Sequence, residues 1–187
     1  MIGYAFCGSF CTLSRSIQVL GELINVGYSV QPILSEAVYS TDTRFYEAIA
    51  FRDEVEELCG KKVITSIVDA EPLGPKTPLE ALIISPCTGN TLAKIANGIT
   101  DTAVTMAATA HLRSDRPLMI SLASNDSMSA NLASIARLLT RKMTFFVPMH
   151  QDDPVTKPYS LVADFSLIPD CLEAALAGKQ IRPLFLN

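Results

Sequence analysis

Residues 82-LIISPCTGNTLAKIANG-98 run from an apolar stretch, through a proline and a group of small polar residues, into a helical period. The apolar start reads as a buried strand, and Leu92, Ile95, Ala96 and Ile99 recur at the spacing of one helix face. A strand that passes through a short turn into a helix is half of a crossover unit joining parallel strands. Ser85, Thr88, Asn90 and Thr91 crowd into this turn. Thr88 or Asn90 suits an ordinary helix cap. The same helix start, with its free amides and dipole, can also hold an anion.

Working outward, the alternation repeats. Residues 2–7 form an apolar strand ended by Gly8-Ser9, and Ile17, Leu20, Gly21 and Ile24 mark one face of a helix stopped by Gly27. Residues 28–35 read as a second strand, with Pro32 assigning it a less central place. A longer helix is expected over 42–58, its acidic group Asp53, Glu54, Glu56 and Glu57 facing solvent. The three prolines of 63–78 mark a loop that crosses a sheet edge or reaches a neighbour. The alanine- and threonine-rich 102–112 suits close helix packing. A strand at 117–123 precedes a helix bearing Leu132, Ile135, Ala136 and Leu139, for which Asp126 or Ser127 is the expected cap. A strand at 143–147, a polar loop at 148–160 and a last helix ending near Gly178 complete the chain. This pattern predicts one α/β domain over 1–187, a three-layer Rossmann-like (flavodoxin-like) sandwich with a mainly parallel sheet.

Composition narrows the function. Hydrophobic residues make up 49% of the 187 and charged ones 18%, as a sheet covered on both faces requires. No apolar run approaches the roughly 20 residues of a membrane span, and the N-terminus lacks the basic and small-residue marks of a secretory signal. The net charge of −4 with scattered cations argues against a nucleic-acid partner. Five cysteines and two distant histidines form no C-x-x-C or H-E-x-x-H pattern, so neither a metal site nor a disulfide framework is expected, and reduced cytoplasmic thiols fit.

Ligands of open parallel sheets bind beyond the strands' carboxyl ends, where strand order reverses. The residues just past the strands are Gly8-Ser9-Phe10, Ser35, Ser85 to Thr91, Ala123 to Asp126 and Pro148 to Gln151. Most of these groups carry hydroxyls or amides and no positive charge, so a phosphate there would be held by backbone N–H groups. Neither G-x-G-x-x-G nor a Walker sequence is present.

The run 85-SPCTGNT-91 with 92-LAKIANGITD-101, the early G-S-F-C-T and Ser35-Glu36-Ala37 resemble the FMN-binding flavoprotein family, which includes flavin prenyltransferases and cysteine decarboxylases. The resemblance implies FMN as cofactor, contacted by Gly8, Ser9, Phe10, Ser35, Ser85, Pro86, Cys87, Thr88, Gly89, Asn90 and Thr91. Residues 66–108 and 148–164 are similar to the branch that takes part in making a pyridine dicarboxylate in spore formers. That likeness implies an oxidoreductase component that works on a small dicarboxylate in the mother-cell cytoplasm. It also implies a dehydrogenase-like partner chain with NADP, and homo-oligomers of three or more chains. Two departures matter. The prenyltransferases' arginine is absent from Leu122-Ala123-Ser124-Asn125. The decarboxylases' early histidine has no counterpart before His111, and 148-PMHQ-151 only partly echoes their substrate clamp.

Donors for carboxylates are sought in Asn125, Ser127, His150, Gln151 and Lys157. His150 is either a surface loop residue or a proton-transfer group, since imidazole titrates near neutral pH. Asp152-Asp153 reads as a solvated pair or a cap, and Lys157 as a partner for a substrate carboxylate, a neighbouring chain or solvent. Cys87 is either a filler or a thiol acidified by the helix start. Tyr4 and Phe45 read as core. Besides the oxidoreductase component, two other functions are open: a non-catalytic assembly component that keeps the fold, and a free-standing decarboxylase or prenyltransferase.

Overall fold

In a computed structural model, described for residues 1–186, five parallel strands form the body of the sheet. They are β1 (Ile2–Phe6), β2 (Val30–Leu34), β3 (Leu82–Cys87), β4 (Leu118–Ser124) and β5 (Thr144–Phe146), in the order β2-β1-β3-β4-β5. Strand alternation divides the side chains between two cores. Ile2, Tyr4 and Phe6 point to the face covered by α1 (Leu13–Asn25), α3 (Ala48–Cys59) and α8 (Ile168–Leu176). Ala5 and Cys7 point to the face covered by α5 (Gly89–Ala96), α6 (Ala103–Leu112) and α7 (Leu132–Leu139). Leu20 and Leu23 on α1, Phe51 on α3 and Leu172 on α8 are essentially without solvent contact. Each such side chain contributes about 1.5–3 kcal/mol relative to its exposed state. The expected α/β sandwich with a mainly parallel sheet is the fold.

Pro32 sits on an edge strand, as its ring requires. Its carbonyl faces outward and accepts from Ile64 N–H at 3.0 Å, so the missing donor also lies on the outer side and no inner ladder bond is lost. The alanine- and threonine-rich 102–112 forms α6, buried on nearly every side and started by a capping box between Thr102 and Thr105.

Four expectations are corrected. The helix read over 42–58 begins only at Ala48, after a short α2 (Glu36–Ser40) and an irregular turn. Asp42 Oδ1 accepts from Ala48 N–H at 2.8 Å, and Thr43 Oγ1 accepts from Phe45 and Tyr46 N–H at 3.1 and 3.2 Å. These short side chains satisfy backbone donors outside a helix and so hold the chain out of one. Segment 63–78 is not all loop, since it contains α4 (Ile67–Ala70), capped by Ser66 Oγ accepting from Asp69 N–H. Neither Asp126 nor Ser127 caps α7. Asn131 stands at that position without a side-chain cap bond, because 124–129 is consumed by its own turn, in which Ser127 Oγ donates to Ser124 O at 3.0 Å. Finally, the polar loop at 148–160 is bounded by β6 (Met149–His150) and β7 (Leu161–Ala163), an antiparallel pair too short to show a period. β7 pairs with Ala123 and Ser124 at the far end of β4. It therefore carries β6 and its loop to the sheet's carboxyl edge.

Candidate functional site

β2 and β3 flank β1 on opposite sides, so strand order reverses between β1 and β3. A cleft of about 840 Å³ opens beyond these carboxyl ends, lined on one side by Gly8, Ser9, Phe10, Thr88, Gly89 and Asn90. Among the described residues, the amides of Gly8, Phe10, Cys11, Gly89 and Asn90 donate to no acceptor. Free N–H groups from a turn and from the start of α5 together form an anion cradle.

Thr88 is the helix cap that its sequence suggests. Its Oγ1 accepts from Thr91 N–H at 3.3 Å and donates to Thr91 Oγ1 at 3.2 Å. Capping fastens the first turn of α5 and leaves the Gly89 and Asn90 amides free, so the two readings of this turn are compatible. Gly89 has no room for a side chain, because a Cβ there would overlap Asn131 Nδ2 and Ser124 Oγ. That close approach brings the 124–131 turn against the cradle.

Ser35, just past β2, does not itself line the cleft. Its N–H donates to Phe6 O at 3.0 Å, but its Oγ is buried with no partner. Such a group ordinarily costs about 1–3 kcal/mol unless something satisfies it. α2, which follows Ser35, packs on Gly8 so closely that a Cβ there would lie 3.3 Å from Ala37 Cβ. A phosphate group fits the donor set of five free amides, and the orphaned Ser35 hydroxyl is a spare donor at the end of the adjoining strand β2.

Several expected contacts lie elsewhere. Ser85, Pro86, Cys87 and Thr91 are packed beneath the turn and do not line the cleft. Ser85 belongs to a buried hydroxyl chain: Ser16 Oγ donates to Ser85 O at 2.6 Å and lies 3.0 Å from Tyr4 Oη. The chain locks α1 to β3, and burial pushes the Tyr4 phenol up to about 12. Burial likewise raises Cys87 well above the ordinary thiol range and Cys7 to about 11. Cys87 is therefore a filler, since desolvation outweighs the helix start. Ser127 is fully buried in its own turn, and Gln151 is held away by its bond to Pro158 O at 2.8 Å.

The other side of the cleft is made of side chains, and here the structure adds what the sequence concealed. Asn125, His150 and Lys157 line it, joined by Arg15, Arg44, Phe45, Asp126, Asn131 and Asp152. Besides the expected Lys157, two cations that do not stand at strand ends thus reach the cleft. α1 carries Arg15 to the rim, and the irregular turn before α3 carries Arg44. Phe45 is 45% exposed rather than core. Arg15 could have been found as the residue three positions past Thr12 on the polar face of α1. Arg44 was hidden by the helix read through it.

Lys157 Nζ pairs with Asp152 Oδ2 at 2.9 Å, while Ser160 Oγ donates to Asp152 Oδ1 at 2.5 Å. The Ser160 bond and then Lys157 hold the Asp152 carboxyl below its usual range, and Asp152 raises Lys157 in turn. Asp153 caps the bend, accepting from Thr156 N–H at 3.0 Å. The polar loop is therefore an internally bonded flap at the cleft mouth.

A parallel α/β sheet with an amide-lined cleft at its switch point defines a class of proteins that hold nucleotide-like phosphates. The chain belongs to the Flavoprotein family, whose pattern it matches over residues 1–166. It is 42% identical to the B subunit of dipicolinate synthase from Bacillus subtilis (strain 168), covering 100% of this chain and 93% of that one. The crystal structure of the corresponding B subunit from Bacillus halodurans superposes with a TM-score of 0.91 at 37% identity, over 100% of this chain and 95% of that one. The FMN-dependent cysteine decarboxylase SpaF shares the fold, with a TM-score of 0.70 at 22% identity over 93% and 95% of the two chains.

Proposed function

We propose that the chain is the FMN-binding B subunit of a dipicolinate synthase. On this reading it acts with a dehydrogenase-like A subunit, which carries NADP, to oxidise a hydroxylated tetrahydropyridine dicarboxylate to pyridine-2,6-dicarboxylate during spore formation. The observation that carries the reading is the cradle of free amides at the β1–β3 switch point. It supports a phosphate-bearing flavin in a chain so similar, over its whole length, to the two B subunits.

Gly8, Ser9, Phe10, Ser35, Thr88, Gly89 and Asn90 would hold the phosphate and the adjoining ribityl chain. When bound, FMN supplies a reversible acceptor for two electrons. The route from substrate to product loses water and then a hydride and a proton, so a proton-handling group is needed near the substrate. His150, half-buried on β6 and lining the cleft, is the candidate for that role. The Asp152–Lys157 flap excludes water from the mouth, and Asn125 donates to the substrate. Homo-oligomers would complete the cleft with a neighbouring chain, as the family resemblance implies.

Titration of the purified chain with FMN, followed by assay with and without the dehydrogenase-like partner, tests the proposal. Saturable binding with quenched flavin fluorescence, and product formation that depends on both chains, is expected. A chain that binds no FMN and leaves the partner's product formation unchanged would refute it.

A further inference from the structure

We infer that Arg44 is the carboxylate-binding arm of this cleft and that Phe45 stacks on the ligand's ring, so that the site selects a flat ring bearing carboxylates. The inference rests on the dicarboxylate reading above and adds the residues that recognise that substrate.

Four residues of the turn behave in two ways. Thr43 and Tyr46 are fastened: Thr43 N–H donates to Tyr46 O at 2.9 Å, and Thr43 Oγ1 accepts from both Phe45 and Tyr46 N–H. The Tyr46 ring meets Phe51 edge-on at 5.0 Å, and Phe51 in turn meets Phe6 at 5.2 Å inside the core. The turn is thus pinned at its base. Arg44 and Phe45 are left at the tip, exposed and lining the cleft. Arg44 Cζ lies 4.8 Å from the Phe45 ring centroid. Stacking on an aromatic face orients a guanidinium without using its hydrogen-bond donors.

Those donors are unspent. Among the described residues, Arg44 makes no ion pair and no hydrogen bond, whereas Lys157, the cation of the flap, is neutralised by Asp152. Arg15, also on the rim, is unpaired as well, and Asp126 is the remaining acid of the lining. The mouth is therefore short of negative charge, whereas the amide cradle already provides for a phosphate. A planar fork accepts a carboxylate through two parallel bonds, and an exposed ring beside it covers a flat heterocycle. Phe45 keeps 45% of its surface exposed to the cleft, so that part of the ring gains nothing from folding and is open to a ligand.

Calorimetric titration with pyridine-2,6-dicarboxylate and with pyridine-2-carboxylate, on the protein with and without FMN, tests the inference. Arg44→Ala should weaken binding of the dicarboxylate by about tenfold to a hundredfold. It should weaken the monocarboxylate less and leave FMN affinity within about twofold of the parent. Arg44→Lys should recover only part of the loss, because an ammonium cannot fork. Phe45→Leu should cost a smaller factor, on the order of threefold to tenfold. Unchanged melting temperatures would establish that the exposed substitutions leave the fold intact. Parental dicarboxylate affinity in Arg44→Ala would overturn the inference, as would no dicarboxylate binding by the parent. FMN affinity falling as far as dicarboxylate affinity would also overturn it, by assigning Arg44 to the phosphate. A parent that binds the dicarboxylate but not FMN would refute the cofactor proposal and leave this one standing.

Discussion

On the β1–β3 side the cleft is lined with main chain, and on the side of β4, β6 and the 41–47 turn it is lined with side chains. The first side owes its geometry to two parallel strands ending together, so its donors are fixed by the sheet and by a capped helix. The second owes its geometry to irregular segments held by Thr43, Asp42, Asp152 and Ser160. The contrast implies a division of labour. Amides on a rigid frame suit a constant group such as a phosphate. Charged side chains on separately fastened turns suit the group that distinguishes one relative from another.

Substitutions that act on one side and spare the other sharpen this division. The largest effect is expected from Asn90→Asp. A carboxylate in the first turn of α5 stabilises the helix dipole by about 0.3–1 kcal/mol, so the melting temperature should hold or rise. The same charge repels a phosphate, and FMN affinity should drop by about fiftyfold or more. Fluorescence titration beside a thermal melt reads both, and a parental affinity would break the assignment of this side.

A smaller effect is expected from Ser35→Ala. Removing an orphaned buried hydroxyl should leave the apoprotein as stable as the parent, or more so. FMN should bind more weakly by about tenfold. Loss of apoprotein stability without loss of FMN affinity would make Ser35 a structural residue and remove it from the cradle.

The smallest effect concerns the flap. The folded state holds Asp152 below its ordinary value of 3.8, so the Asp152 contribution is complete above that value. It is lost as pH falls through the depressed folded one. Amide exchange across 153–159 should therefore accelerate only in strongly acidic solution, and in Asp152→Asn it should be fast already at neutral pH. The global melting temperature should scarcely respond, because the pair is largely solvated.

The same contrast explains how much could be read in the sequence. The five parallel strands, α1 and α5 follow from periodicity, α6 from its alanine-rich composition, and the strand-end site from Gly8-Ser9 and Thr88 to Asn90. A main-chain site needs only that the strands be found. Ser85 and Cys87 show the limit of that reading: they stand at the same strand end, but Ser85 turns inward to the Tyr4–Ser16 chain, and Cys87, past an irregularity in the strand, packs in the core on the other face. The side-chain wall was mostly hidden. Arg44 and Phe45 reach the cleft because Asp42 and Thr43 break a helix whose period otherwise runs on. Lys157 arrives through β6 and β7, strands of two and three residues that carry no pattern.

The most direct measurement compares FMN with riboflavin, which lacks the phosphate, on the parent and on Arg15→Ala/Arg44→Ala. If amides grip the phosphate, the parent prefers FMN by about a hundredfold or more, and the double variant keeps that preference. A preference that collapses when the two guanidiniums are removed would show that cations hold the phosphate, and would contradict the account.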